Sequence, residues 1–168
     1  MIMNKEYEDF DINSFKTAVI NAIVENNEIV YQLDKDCIDS GGKLLYERIF
    51  PYLQNPETVE TTDPFICFRV NHSRTPNYFI EDINIEVDVV CHEKGMKRKV
   101  RSYETGEYLS GTVIDIIAEE IKKSLVGLDT NWLGELECYS NTESVLYYKY
   151  PCRILTFEAK KESYAHHK

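Results

Sequence analysis

From Asp82 to Val89 the chain alternates without a break, with Ile83, Ile85, Val87 and Val89 on one set of positions and Asp82, Asn84, Glu86 and Asp88 on the other. Successive side chains of a strand point to opposite faces, so this spacing predicts a strand with four β-branched residues on one side and three carboxylates on the other. The core side is unambiguous. A sheet with one covered and one wet face is characteristically antiparallel, and the remaining sequence has to supply the layer that covers it.

Helices can do so. Ile12, Phe15, Val19, Ile20, Ala22 and Ile23 recur at helical spacing from Asp11 and stop at Asn26-Asn27, which predicts an amphipathic helix over about 12–25. Thr112 with Asp115 three positions on has the form of a capping box, and Val113, Ile114, Ile117, Ala118, Ile121 and Leu125 form the stripe of a second helix ended by Gly127. Between the first helix and the sheet, Ile29, Val30 and Leu33 run into Ser40-Gly41-Gly42, and Leu44, Leu45, Ile49 and Phe50 are closed by Pro51. A broken helical stretch is expected there.

Residues 51–64 carry Pro51, Pro56 and Pro64 and read as an extended surface loop, with the sheet beginning after Pro64. Phe65 to Val70 is β-rich, and Asn71 to Asn77 has the composition of a turn. Two later strands are expected at Gly134–Tyr139 and Val145–Phe157, separated by the turn-like Ser140–Ser144, with Pro151 on an edge or at a bulge because it has no N–H for a ladder. The fold class that follows is α+β: an antiparallel sheet of about four strands packed with two main helices in a single domain. Residues 1–10 read as a loose arm, 12–158 as the ordered core and 160–168 as a frayed tail.

Net charge is −10 in 168 residues, which opposes general binding to a phosphate backbone. No apolar run is long enough to cross a membrane, and the acidic start Met1–Glu8 lacks the core of a secretory signal. Cys37, Cys67, Cys91, Cys138 and Cys152 are odd in number and widely spaced, so they read as reduced thiols rather than a zinc site.

Candidate chemistry is sparse. Asp82, Glu86 and Asp88 line one strand face, but side chains four positions apart on a strand are roughly 13 Å apart, too far to share one ion. Glu158-Ala159-Lys160 with Asp88 upstream has the spacing of a metal-dependent nuclease, in which a metal would polarise a phosphate. A chance occurrence of so short a string explains it as well. His72 and His92 sit beside no nucleophile or second ligand in sequence, and Ser40-Gly41-Gly42-Lys43 lacks the spacing of a phosphate loop. Lys94, Lys97, Arg98, Lys99 and Arg101 concentrate positive charge in an acidic chain, as a solvated loop or as a contact for an acidic partner surface. Twelve tyrosines, several of them at Tyr139, Tyr147, Tyr148 and Tyr150, are of the type favoured at interfaces. No cofactor and no catalytic constellation is expected.

The order of these signals resembles the tail terminator, or tail completion, proteins of tailed bacteriophages. Arg48-Ile49-Phe50-Pro51, the loop from Tyr52 to Asp63 with Pro56 and Thr58, Pro64-Phe65-Ile66, the alternating strand, and Ile117-Ala118 with Ile121 and Leu125 carry the likeness across about residues 12–158. The stretch before Ser40 is longer, and the basic loop more charged, than that family's pattern. The resemblance implies a homo-oligomeric ring, usually sixfold, in the virion neck, assembled in the host cytoplasm. Such a ring ends the tail tube, stops its polymerisation and meets the head-side connector or stopper, while DNA passes without specific binding. The acidic face of Asp82, Glu86 and Asp88 suits a lumen that repels DNA. The rival readings are the nuclease built on Asp88, Glu158 and Lys160, another connector or tail-tube-like subunit, and a small adaptor protein.

Overall fold

Asp11 accepts a hydrogen bond from the Asn13 backbone N–H and opens helix α1, Ile12–Val24, which buries Phe15, Val19 and Ile23. The computed structural model describes residues 11–74, 80–128 and 134–162, with positions 74, 80–81 and 160–162 entering by backbone alone. Asn26 caps helix α2, Asn27–Leu33, and its amide also donates to Glu120 and Ser124, tying the α1–α2 junction to α3. The broken helical stretch is therefore α2 followed by short 3-10 turns at Lys35–Cys37 and Gly41–Leu44. Helix α3, Val113–Leu125, has the full capping box of Thr112 and Asp115 and ends before Gly127, whose φ is +80°.

Among the described residues the sheet has five strands, one more than the sequence suggested: β1 Ile49–Phe50, β2 Phe65–Arg74, β3 Ile80–Val90, β4 Glu137–Leu146 and β5 Tyr150–Glu162, in the order β1-β2-β3-β5-β4. It is mixed, because β1 runs parallel to β2 while every other pair is antiparallel. Two residues before a proline leave no periodic signal, which is why β1 was not expected. The three helices cover one face, where Ile83, Ile85, Val87 and Val89 meet Phe68, Leu155 and Phe157.

Further corrections concern boundaries. Asn71–Arg74 continue β2 opposite Asn84, Ile83, Asp82 and Glu81 instead of turning, and the rest of that expected turn, 75–77, lies outside the described residues. Ser140–Ser144 is not a turn either: it lies inside β4, an edge strand whose side chains are largely in water and therefore tolerate polar residues. The chain reverses at Tyr147–Lys149 instead. Pro151 is on an inner strand, but β3 has ended beside it. Its carbonyl accepts from Cys91 N at 3.1 Å, so its ring nitrogen faces that same open side and breaks no bond to β4. Lys160–Glu162 are paired with Asp82, Glu81 and Ile80 rather than frayed, while 1–10 and 163–168 lie outside the described residues.

Asp88 departs most from expectation. It is only 8% exposed, because that end of the outer face has its own apolar cluster of Phe50, Phe65, Cys67, Val90 and Cys152. Burial there, with Glu86 adding like charge and Arg69 partly offsetting both, pushes the Asp88 carboxyl up to about 6. Burial likewise pushes the Cys67 thiol up to about 12 and those of Cys91 and Cys152 up to about 11, as befits small core residues.

Candidate functional site

Basic residues 98–101 fold back onto α2. Val100 and Leu109 pair by backbone, as do Ser102 and Glu107, so residues 100–109 form a small hairpin. Glu28, buried at the start of α2, accepts from Tyr103 N at 2.9 Å and Ser102 Oγ at 3.2 Å on one oxygen, and from Gln32 Nε2 at 2.7 Å on the other. Gln32 Nε2 also donates to the Arg101 carbonyl at 2.6 Å. Arg98 Nη2 in turn donates to the Gln32 carbonyl at 2.6 Å. Arg101 donates to the Tyr108 hydroxyl at 2.8 Å, with its guanidinium 4.4 Å from that ring's centre and Lys99 Nζ 5.6 Å away.

Arg98, Lys99 and Arg101 thus line a cleft of about 550 Å³, and Arg48, fifty residues upstream, lines the same cleft beside Asp63. Lys94 and Lys97 do not line it: they stay exposed on the turn around Gly95. Gly95 is needed there, since a Cβ at that position would stand 1.9 Å from the Thr62 carbonyl oxygen. The expected basic patch is therefore divided between a pinned half in the cleft and a solvated half outside it. Its link to Arg48 carried no signal in sequence spacing.

The acidic stripe is less bare than its sequence suggested. Glu86 is half-buried and paired with Arg69 at 3.1 Å, Asp82 lies opposite Ser73 and Lys160, and Asp88 is buried. The proposed nuclease triad is spread out as well. Asp88 is level with Ile154 and Glu158 with Asn84, four positions along the sheet, or roughly 13 Å at the usual strand rise. Lys160 lies further still, level with Asp82.

The tyrosines are plain in the sequence, but their conformation is not. Among the described residues, three non-glycines have positive φ, and all are exposed tyrosines: Tyr46 (φ 65°), Tyr147 (φ 47°) and Tyr148 (φ 60°), with 60%, 54% and 97% exposure. Bulky residues seldom adopt this conformation, at a cost of about 1–3 kcal/mol each. Tyr46 stacks on Tyr52, near exposed Leu53, at the β1 edge. Tyr147 and Tyr148 make the tip of the β4–β5 hairpin beside exposed Val145, and Tyr139 is exposed near the other end of β4.

No curated protein matches this chain. A family does, over residues 18–159, which takes in nearly the whole described fold. It is named after a phage-type gene product, which points to a phage-related protein without assigning it to the tail terminators. On that match, the chain belongs to the YomW family.

Proposed function

We propose that this protein is a structural subunit of a phage particle, a ring former of the neck that ends the tail tube and joins it to the head-side connector. The observation that carries this reading is the pair of tyrosine patches on opposite edges of one sheet. A chain that tolerates backbone strain to hold Tyr46, Tyr147 and Tyr148 outward has a use for those rings beyond its own core. Tyrosine is the side chain of protein contacts, giving apolar area with a hydroxyl that stays bonded. Two unlike patches on opposite edges suit a heterologous contact, one subunit's β4 edge against the next subunit's β1 edge, and such contacts close into rings when the rotation allows.

Among the described residues the outer edge of β4 is unpaired, and it adds backbone donors and acceptors to that contact. A membership in a phage-related family is compatible with this role, and net charge −10 is compatible with a lumen that lets DNA pass. The test is a double substitution, Tyr147→Asn with Tyr148→Gly, residues that accept the turn's conformation. On this reading the variant melts at the same temperature or higher as an isolated chain, yet loses assembly by mass photometry. Undiminished assembly would remove the hairpin from the contact.

A further inference from the structure

The cleft beside α2 is built from stretches far apart in sequence: Asp34, Arg48 and Asp63 line it together with Arg98, Lys99 and Arg101. With Lys35 and Asp36 it presents five cations against three carboxylates, a net positive pocket in a chain of charge −10. Its volume of about 550 Å³ is that of a site for a short peptide stretch or one small molecule.

Two features mark it as prepared for a ligand. Arg98 and Arg101 are already fixed, by the Gln32 carbonyl and the Tyr108 hydroxyl, and the hairpin that bears Arg101 is pinned by Glu28, so little side-chain freedom is lost on binding. Arg48 is held loosely: its contact with Asp63 is long, at 3.4 Å, and among the described residues its Nη1 has no hydrogen-bond partner. A long contact is a weak one, so an arriving carboxylate can compete with Asp63 for this guanidinium. The guanidinium fork suits a carboxylate taken by two parallel bonds.

Asp34, Asp36 and Asp63 decide between anions. They repel a phosphate dianion, whereas a peptide brings backbone N–H groups for them to accept. We propose that the cleft receives an acidic segment of a partner protein, with Arg48, Lys99 and Arg101 taking its carboxylates and the aspartates its backbone N–H groups. This rests on the reading of the chain as a protein-docking subunit, and it replaces a diffuse basic loop by a defined pocket that excludes Lys94 and Lys97.

The experiment is fluorescence anisotropy of a labelled hexaglutamate peptide with the full-length protein at low salt, with inorganic pyrophosphate as competitor. Saturable binding is expected, weakened roughly tenfold or more by Arg48→Gln and by Lys99→Gln, the loss that one charge-assisted contact represents. Lys97→Gln, on the same segment but outside the cleft, should leave it within about twofold. Lys99 is exposed and serves as the reporter if Arg48→Gln unfolds. Equal loss in Lys97→Gln, tighter binding of pyrophosphate than of peptide, or no saturable binding would each overturn the proposal. Binding is read whether or not the chain forms rings, so a ring with a silent cleft and a monomer with an occupied one are distinguishable results.

Discussion

The Glu28 carboxylate accepts the Tyr103 backbone N–H at 2.9 Å, so a buried acid on α2 holds the hairpin 100–109 in place from 75 residues away. Because Ser102 and Gln32 bond to the same carboxylate, its removal strands several polar groups at once. Glu28→Ala should therefore destabilise the fold by about 1–3 kcal/mol in urea unfolding. Amide exchange at Tyr103 should accelerate beyond that of α3. A uniform change across the protein would mean that Glu28 does not act on the hairpin in particular.

The proton on Asp88 gives stability a distinctive pH dependence. Its folded-state pKa of about 6 lies above the ordinary 3.8, so the folded chain binds this proton more tightly than the unfolded one. The stability contributed is complete below about pH 3.8 and is lost as pH rises through about 6. Asp88→Asn, which cannot ionise, should flatten the fall in melting temperature between about pH 4 and 7 and melt higher than wild type at alkaline pH. Parallel melting curves would show that burial does not perturb this carboxyl.

On β3, Ile85→Ala should cost about 2–5 kcal/mol, because Ile85 is fully buried under the helices. Glu86→Ala, which loses only a partly exposed ion pair with Arg69, should cost about 1 kcal/mol or less. Chemical denaturation of both variants measures the two faces directly, and comparable losses would contradict the assigned register.

Gly95→Ala tests the seat of the basic turn. The added methyl carbon would fall 1.9 Å from the Thr62 oxygen, against backbone that has to shift, whereas at Gly42 it would meet nothing within 4 Å. The first variant should lose several degrees of melting temperature and the second should be near neutral. If both behave alike, the turn does not pack on Thr62.

These contrasts also explain what the sequence could disclose. β3 and α3 were legible because each repeats one period over a whole element, and α3 adds a capping box whose partners, Thr112 and Asp115, do bond. The end of β4 was misread because Ser140–Ser144 carries turn-type residues on an exposed edge strand, while the real turn uses Tyr147 and Tyr148, which no turn preference anticipates. Asp88 was assigned to water from alternation alone. Phe65, Cys67 and Val90, apolar on the outward positions of β2 and β3, were the available sign that this face is covered at one end. The cleft was invisible, since nothing local relates Arg48 to Arg98.

The central claim, that the chain is a ring-forming phage subunit, is tested most directly by electron microscopy of the purified full-length protein alongside mass photometry. The account predicts annuli with a central hole, of one subunit number, that disappear in the Tyr147→Asn, Tyr148→Gly variant. A folded chain that stays monomeric across the concentration range, with no annuli in the presence of tail tubes, would contradict it.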